Sequence, residues 1–139
     1  MPAIQAKLLV LPGEDAGESR LMAADWRTGW VVVWEVSATD VRVHWSFGPV
    51  GEIIAAPVAV SGAPGSDMAA PMVLLADSNG VLRLLEPPAE IGGAPRVAWR
   101  FSARAAISGK PAVYQADDQH WVAFADHGGW VYRVPILLR

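Results

Sequence analysis

The chain has 139 residues, the length of one ordinary domain, with 53 % hydrophobic and 18 % charged residues, a balance that excludes a disordered or purely solvating role. A formal net charge of −3, with eleven Lys plus Arg spread along the chain, argues against a phosphate-tracking surface and so against nucleic acid as a partner. The absence of cysteine excludes disulfides, thiolate metal sites and cysteine nucleophiles.

The first eleven residues carry one Lys and a four-residue apolar run before Pro12 and Gly13, which lacks the long apolar middle of a signal peptide. No apolar stretch approaches the roughly 18 residues needed to span a bilayer. The expectation is a soluble, cytoplasmic chain with no membrane partner. Strand signals then dominate, because β-branched and aromatic residues recur with a period of two. The first unit gives strands from Lys7 to Leu11, Arg20 to Ala24, Trp30 to Val36 and Val41 to Phe47. The second gives Pro57 to Ser61, Met72 to Ala76, Val81 to Glu86 and Arg96 to Phe101. The third gives Ala112 to Gln115, Trp121 to Ala125 and Trp130 to about Leu137, with no fourth strand. The 13 Gly and 11 Pro interrupt every helical stripe, so no helix is expected. Gly13 to Ser19, Gly62 to Asp67 and Pro87 to Pro95 read as loops.

Two phrases repeat along these elements. Ala24-Asp25-Trp26-Arg27-Thr28-Gly29-Trp30 returns as Ala76-Asp77-Ser78-Asn79-Gly80-Val81 and as Ala125-Asp126-His127-Gly128-Gly129-Trp130. Trp45-x-Phe47, Ile53 and Pro57 return 54 residues later as Trp99-x-Phe101, Ile107 and Pro111. Self-similarity at this period signals stacked supersecondary units. The Asp-to-Gly phrase needs no ligand: Asp accepts hydrogen bonds from the N–H groups ahead of it, and Gly takes the positive-φ position of a tight hairpin.

Four-stranded units with such a turn between their second and third strands resemble the blades of a β-propeller. The finer resemblance is to the PQQ-like repeat family, on Trp45-x-Phe47 leading to Pro57 and Trp99-x-Phe101 leading to Pro111. WD-repeat propellers are the second likeness, through Leu21 to Asp25 and Val33-Trp34-Glu35-Val36. In the other units Trp34 is replaced by Leu85 and Val134, so the WD signature occurs once. The resemblance implies an all-β chain forming a single domain over 1–139, with blades at about 1–50, 51–105 and 106–139, the last one incomplete. It does not bring quinone-dependent dehydrogenase activity with it, because the vicinal cysteine pair of those enzymes is absent and three blades do not close a ring.

Propellers typically have four to eight blades, and a three-blade arc leaves apolar faces and a strand edge in water. A two-fold dimer gives a six-bladed ring and satisfies both open ends at once. The residues before Leu8 are then placed to add a strand to the partner's third blade. The alternative is that another protein, or the rest of a longer one, completes the ring.

No catalytic, cofactor-binding or metal-binding residues are assigned, and no cofactor is expected. His44, His120 and His127 share no ligand spacing, and Asp117-Asp118 reads as a hairpin turn. No nucleophile elbow or phosphate loop occurs. Among the seven tryptophans, Trp45 and Trp99 hold the family position that packs between blades, and Trp34 alternates within a strand. Trp26 with Arg27, Trp30, Trp130 and His127 lie in or beside the repeated turns, and these five are the candidate interaction residues. Whether Trp30 and Trp130 pack or are displayed stays open. The expected function is a noncatalytic protein-interaction scaffold that binds itself or a partner. The alternative is a carbohydrate-binding propeller using Trp30 and Trp130, against which Val81 stands at the equivalent place in the second unit.

Overall fold

The computed structural model describes residues 6–12, 19–25, 27–53, 55, 57–60 and 71–137. Among them are eleven β-strands and no helix. The first sheet runs β1 (Ala6–Pro12), β2 (Ser19–Asp25), β3 (Val31–Val36), β4 (Val41–Phe47), each antiparallel to the next. The second repeats that order with β5 (Val58–Val60), β6 (Met72–Ala76), β7 (Val81–Glu86) and β8 (Arg96–Ser102). The third has three strands, β9 (Ile107–Ala116), β10 (Gln119–Asp126) and β11 (Val131–Pro135). The first strands of successive sheets meet, β1 against β5 and β5 against β9.

The core lies between the sheets and not within any one of them. Leu11, Met22, Val31, Val33 and Trp45 of the first sheet bury against Ile53, Val73, Leu75 and Leu85. Met72, Leu74, Leu82 and Leu84, on the other face of the second sheet, bury against Ile107, Val122, Phe124 and Ile136. The second sheet is therefore covered on both sides, and β6 is buried at every position. A two-sided environment removes the need for alternation, which is why Met72 to Ala76 is an unbroken apolar run. In contrast, β2 and β10 alternate between buried and half-buried residues. Each fully buried Leu or Val contributes about 1.5–3 kcal/mol relative to exposure.

The regular alternation read from Val41 to Phe47 does not hold. Val33 pairs with Trp45 and Trp34 with Val43, which leaves His44 as an extra residue, and it is buried beside Trp45. The second sheet repeats the bulge at the equivalent place: Leu84 pairs with Trp99 and Leu85 with Val97, leaving Ala98 extra. Such bulges re-aim side chains, and here they turn both tryptophans toward the next sheet. Trp45 is buried, whereas Trp99 and Trp34 are only half-buried. Trp99 borders an open cleft with Val97, Arg100 and Leu137, and Trp34 lies on the face of the first sheet opposite Val33, paired with Val43.

The first strand of the third unit starts at Ile107 instead of Ala112, because Ile107 already pairs with Asp126 and Ser108 with Ala125 before a bulge opposite Phe124. The repeated Ile gains its explanation here. Ile53 bridges Asp77 as Ile107 pairs with Asp126, and both isoleucines are fully buried. Of the loops, Gly13 to Glu18 and Gly62 to Asp67 lie outside the described residues. The loop after β7 folds back on the first sheet, where the Gly92 N–H donates to the His44 carbonyl at 2.8 Å.

Candidate functional site

The three β2–β3-type turns carry the repeated phrase, and each is organised by its aspartate. Asp77 Oδ1 accepts from the N–H groups of Asn79 (2.9 Å) and Val81 (3.1 Å). Its Oδ2 accepts from Gly51 N–H (3.3 Å) and from Arg83 Nη1 (2.6 Å). Asp126 repeats the plan: Oδ1 takes Gly128 N–H (2.9 Å) and Trp130 N–H (3.1 Å), and Oδ2 takes the Tyr132 hydroxyl (2.6 Å). In the first unit Asp25 Oδ1 accepts from Arg27 N–H at 3.0 Å. The turn glycines Gly29, Gly80 and Gly129 have φ of 73°, 79° and 86°, the left-handed region that glycine alone enters without strain. Asp77 and Asp126 are buried, so these bonds also satisfy carboxylates removed from water.

The turns clamp the chain as it passes between sheets. Ser78 N–H donates to the Glu52 carbonyl and His127 N–H to the Ala106 carbonyl, each at 2.8 Å. The acidic phrase is thus a structural latch. The Tyr132 hydroxyl, opposed by burial and reinforced by the N–H groups of Trp130, Gly128 and Ala105, holds the Asp126 carboxyl below its ordinary range. The same bond, together with burial, raises Tyr132 above the usual phenol range. A carboxylate so saturated is poorly suited to act as a base. Asp117 and Asp118 form the expected hairpin turn, both at positive φ (54° and 58°). Among the described residues no cluster of three His, Asp or Glu converges on a cation position. His120 is buried in β10, and His44 in its bulge.

Trp30 and Trp130 are displayed, with 44 % and 52 % of their surface exposed. The Arg104 guanidinium sits over the Trp130 ring at 4.4 Å. Trp30 stands over Gly48 and borders a cleft of about 380 Å³ with Phe47, Pro49, Val50, Arg83 and Pro95. Arg27 and His127 are exposed in their turns, and Trp26 lies outside the described residues. Arg27 and Trp30 share one turn and His127 and Trp130 another, on sheets separated by the second sheet. The four described candidates therefore form two groups. Sequence reasoning missed Arg83 and Arg104. A signal for Arg83 existed, since it lies six residues after Asp77 just as Tyr132 lies six after Asp126. No protein-family model matches this sequence, and no match to it occurs among curated proteins.

Proposed function

We propose that this chain is a noncatalytic β-propeller-type interaction module whose three sheets are blades, closed into a six-bladed ring by a second copy of itself. The observation that carries this reading is the character of the two end faces. On the outer side of the first sheet, Leu8, Val10 and Val43 are 60 %, 70 % and 49 % exposed, beside half-buried Leu21, Ala23, Val32 and Trp34. On the outer side of the third sheet lie Ala112, Tyr114, Trp121, Ala123, Ala125 and Val131, with the Arg133 guanidinium stacked over Trp121 at 3.9 Å. Leu21 and Ala23 hold the repeat positions of Val73 and Leu75, which pack under the preceding sheet. Ala123 and Ala125 hold those of Leu74 and Ala76, which pack onto the following one. The two uncovered faces are thus the two halves of an interface that the chain uses twice internally, and a two-fold pair joins both at once. The resemblance to PQQ-like repeats supports the same arrangement. Light scattering and native mass spectrometry test it: a dimer is expected, and a stable, monodisperse monomer at micromolar concentration refutes self-closure and leaves a different protein as the completing partner.

A carbohydrate-binding role is the second reading, favoured by the display of Trp30 and Trp130 at one repeat position. A glycan array without hits removes it.

A further inference from the structure

The cleft beside Trp30 lies at a junction where the repeat has a leucine and an arginine in place of two aromatic rings. Phe47 and Phe101 are equivalent, as are Leu75 and Phe124, and Arg83 and Tyr132. Between the second and third sheets the three positions are filled by rings. Phe101 meets Phe124 and Tyr132 edge-on, both at 5.8 Å, and Phe124 stacks on Tyr132 at 4.7 Å. Between the first and second sheets the set is Phe47, Leu75 and Arg83, and the cleft of about 380 Å³ opens beside Phe47 and Arg83. That volume lies within the range of small-ligand sites.

The chemistry of the walls selects the ligand. Arg83 uses Nη1 for Asp77 Oδ2, and its side chain is 18 % exposed. A guanidinium carries five N–H donors, and no further acceptor for them occurs among the described residues. The free edge of such a fork matches a carboxylate. Phe47 and Trp30 supply aromatic surface at the same cleft, and Pro49 and Pro95 add apolar rim. We propose that this cleft binds a planar aromatic ring carrying a carboxylate: the ring lies against Phe47 and Trp30, and the carboxylate pairs with Arg83. A free aromatic acid and the C-terminal aromatic residue of a peptide both present this chemistry. The proposal does not depend on ring closure, because it uses only the junction of the first and second sheets.

Titration of the intact ¹⁵N-labelled protein with 3-phenylpropionate, with a tetrapeptide ending in phenylalanine carboxylate, and with 3-phenylpropionamide tests it. Both acids are expected to shift the Trp30 indole N–H and the Gly48 and Val50 amides saturably, with the amide at least about tenfold weaker. Tighter binding of the peptide identifies a chain terminus as the source, tighter binding of the free acid identifies a small molecule, and parity means that ring and carboxylate are the whole determinant. Trp30→Ala, at an exposed position, is expected to keep the melting temperature and weaken acid binding about tenfold, and Arg83→Gln to abolish the preference for acid over amide. The proposal is overturned by no saturable shift at roughly 10 mM of either acid, by equal binding of acid and amide, or by unchanged affinity in Trp30→Ala. If Arg83→Gln does not fold, the amide arm and Trp30→Ala still decide.

Discussion

Replacing Trp45 by alanine removes the largest side chain from the core between the first and second sheets. Trp45 is 2 % exposed and clusters with Met22, Val31, Val33 and Val73. Its bulged strand points it there from a fixed backbone, so the walls collapse only partly into the space left behind. Truncations of this kind cost about 3–5 kcal/mol, a large fraction of the roughly 5–15 kcal/mol that stabilises a typical domain. Trp99 is the built-in control. It holds the same repeat position and the same bulge register, stacks on Phe101 at 6.3 Å, and is only half-buried. With part of its ring already in water, Trp99→Ala is expected to cost roughly two-thirds as much, about 2–3 kcal/mol on an area scale. Urea unfolding of both variants and the parent at one protein concentration gives the comparison, with concentration held fixed because association shifts apparent stability. A Trp45→Ala cost below about 1 kcal/mol, or a Trp99→Ala cost exceeding that of Trp45→Ala, refutes the assignment of Trp45 to the principal inter-sheet core.

The acid limb of stability should depend on Asp126. Its folded pKa is depressed, so its contribution is complete above the unfolded carboxylate value of about 3.9 and is lost as pH falls through the folded value; urea midpoints from pH 6 to 3 should fall less steeply in Asp126→Asn. Tyr132 is raised, so its contribution is complete below the unfolded value of about 10 and is lost as pH rises through the folded one; Tyr132→Phe should flatten the alkaline limb above that pH. Gly129→Ala should cost about 1–2 kcal/mol from positive φ alone, since an added Cβ meets nothing within 4 Å. Gly80→Ala should cost clearly more, because its Cβ would lie 2.5 Å from the Ala105 carbonyl oxygen; equal thermal shifts for the two would refute the clash. Val10→Lys, on the outer face of the first sheet, should leave the far-UV spectrum and cooperative unfolding intact while converting the proposed dimer to monomer in light scattering.

The parts legible in the amino-acid sequence are those governed by nearest neighbours. Asp77 to Gly80 and Asp126 to Gly129 close on themselves through one carboxylate and one positive-φ glycine, so the turns, the strands flanking them and the count of three units were readable without tertiary information. Periodicity also located all eleven strands, with edges displaced where a bulge intervened, as at Ile107. The three-dimensional packing decided which faces are covered. Trp30, Trp45 and Trp99 are the same residue type in similar β-rich surroundings, yet the first is exposed, the second buried and the third half-buried. Those outcomes depend on the next sheet and on the bulges that leave His44 and Ala98 extra, both set by long-range contacts. Arg83 is the clearest case: its side chain stands where the third unit has a ring, and only the junction of the first and second sheets brings it to the same cleft as Phe47 and Trp30.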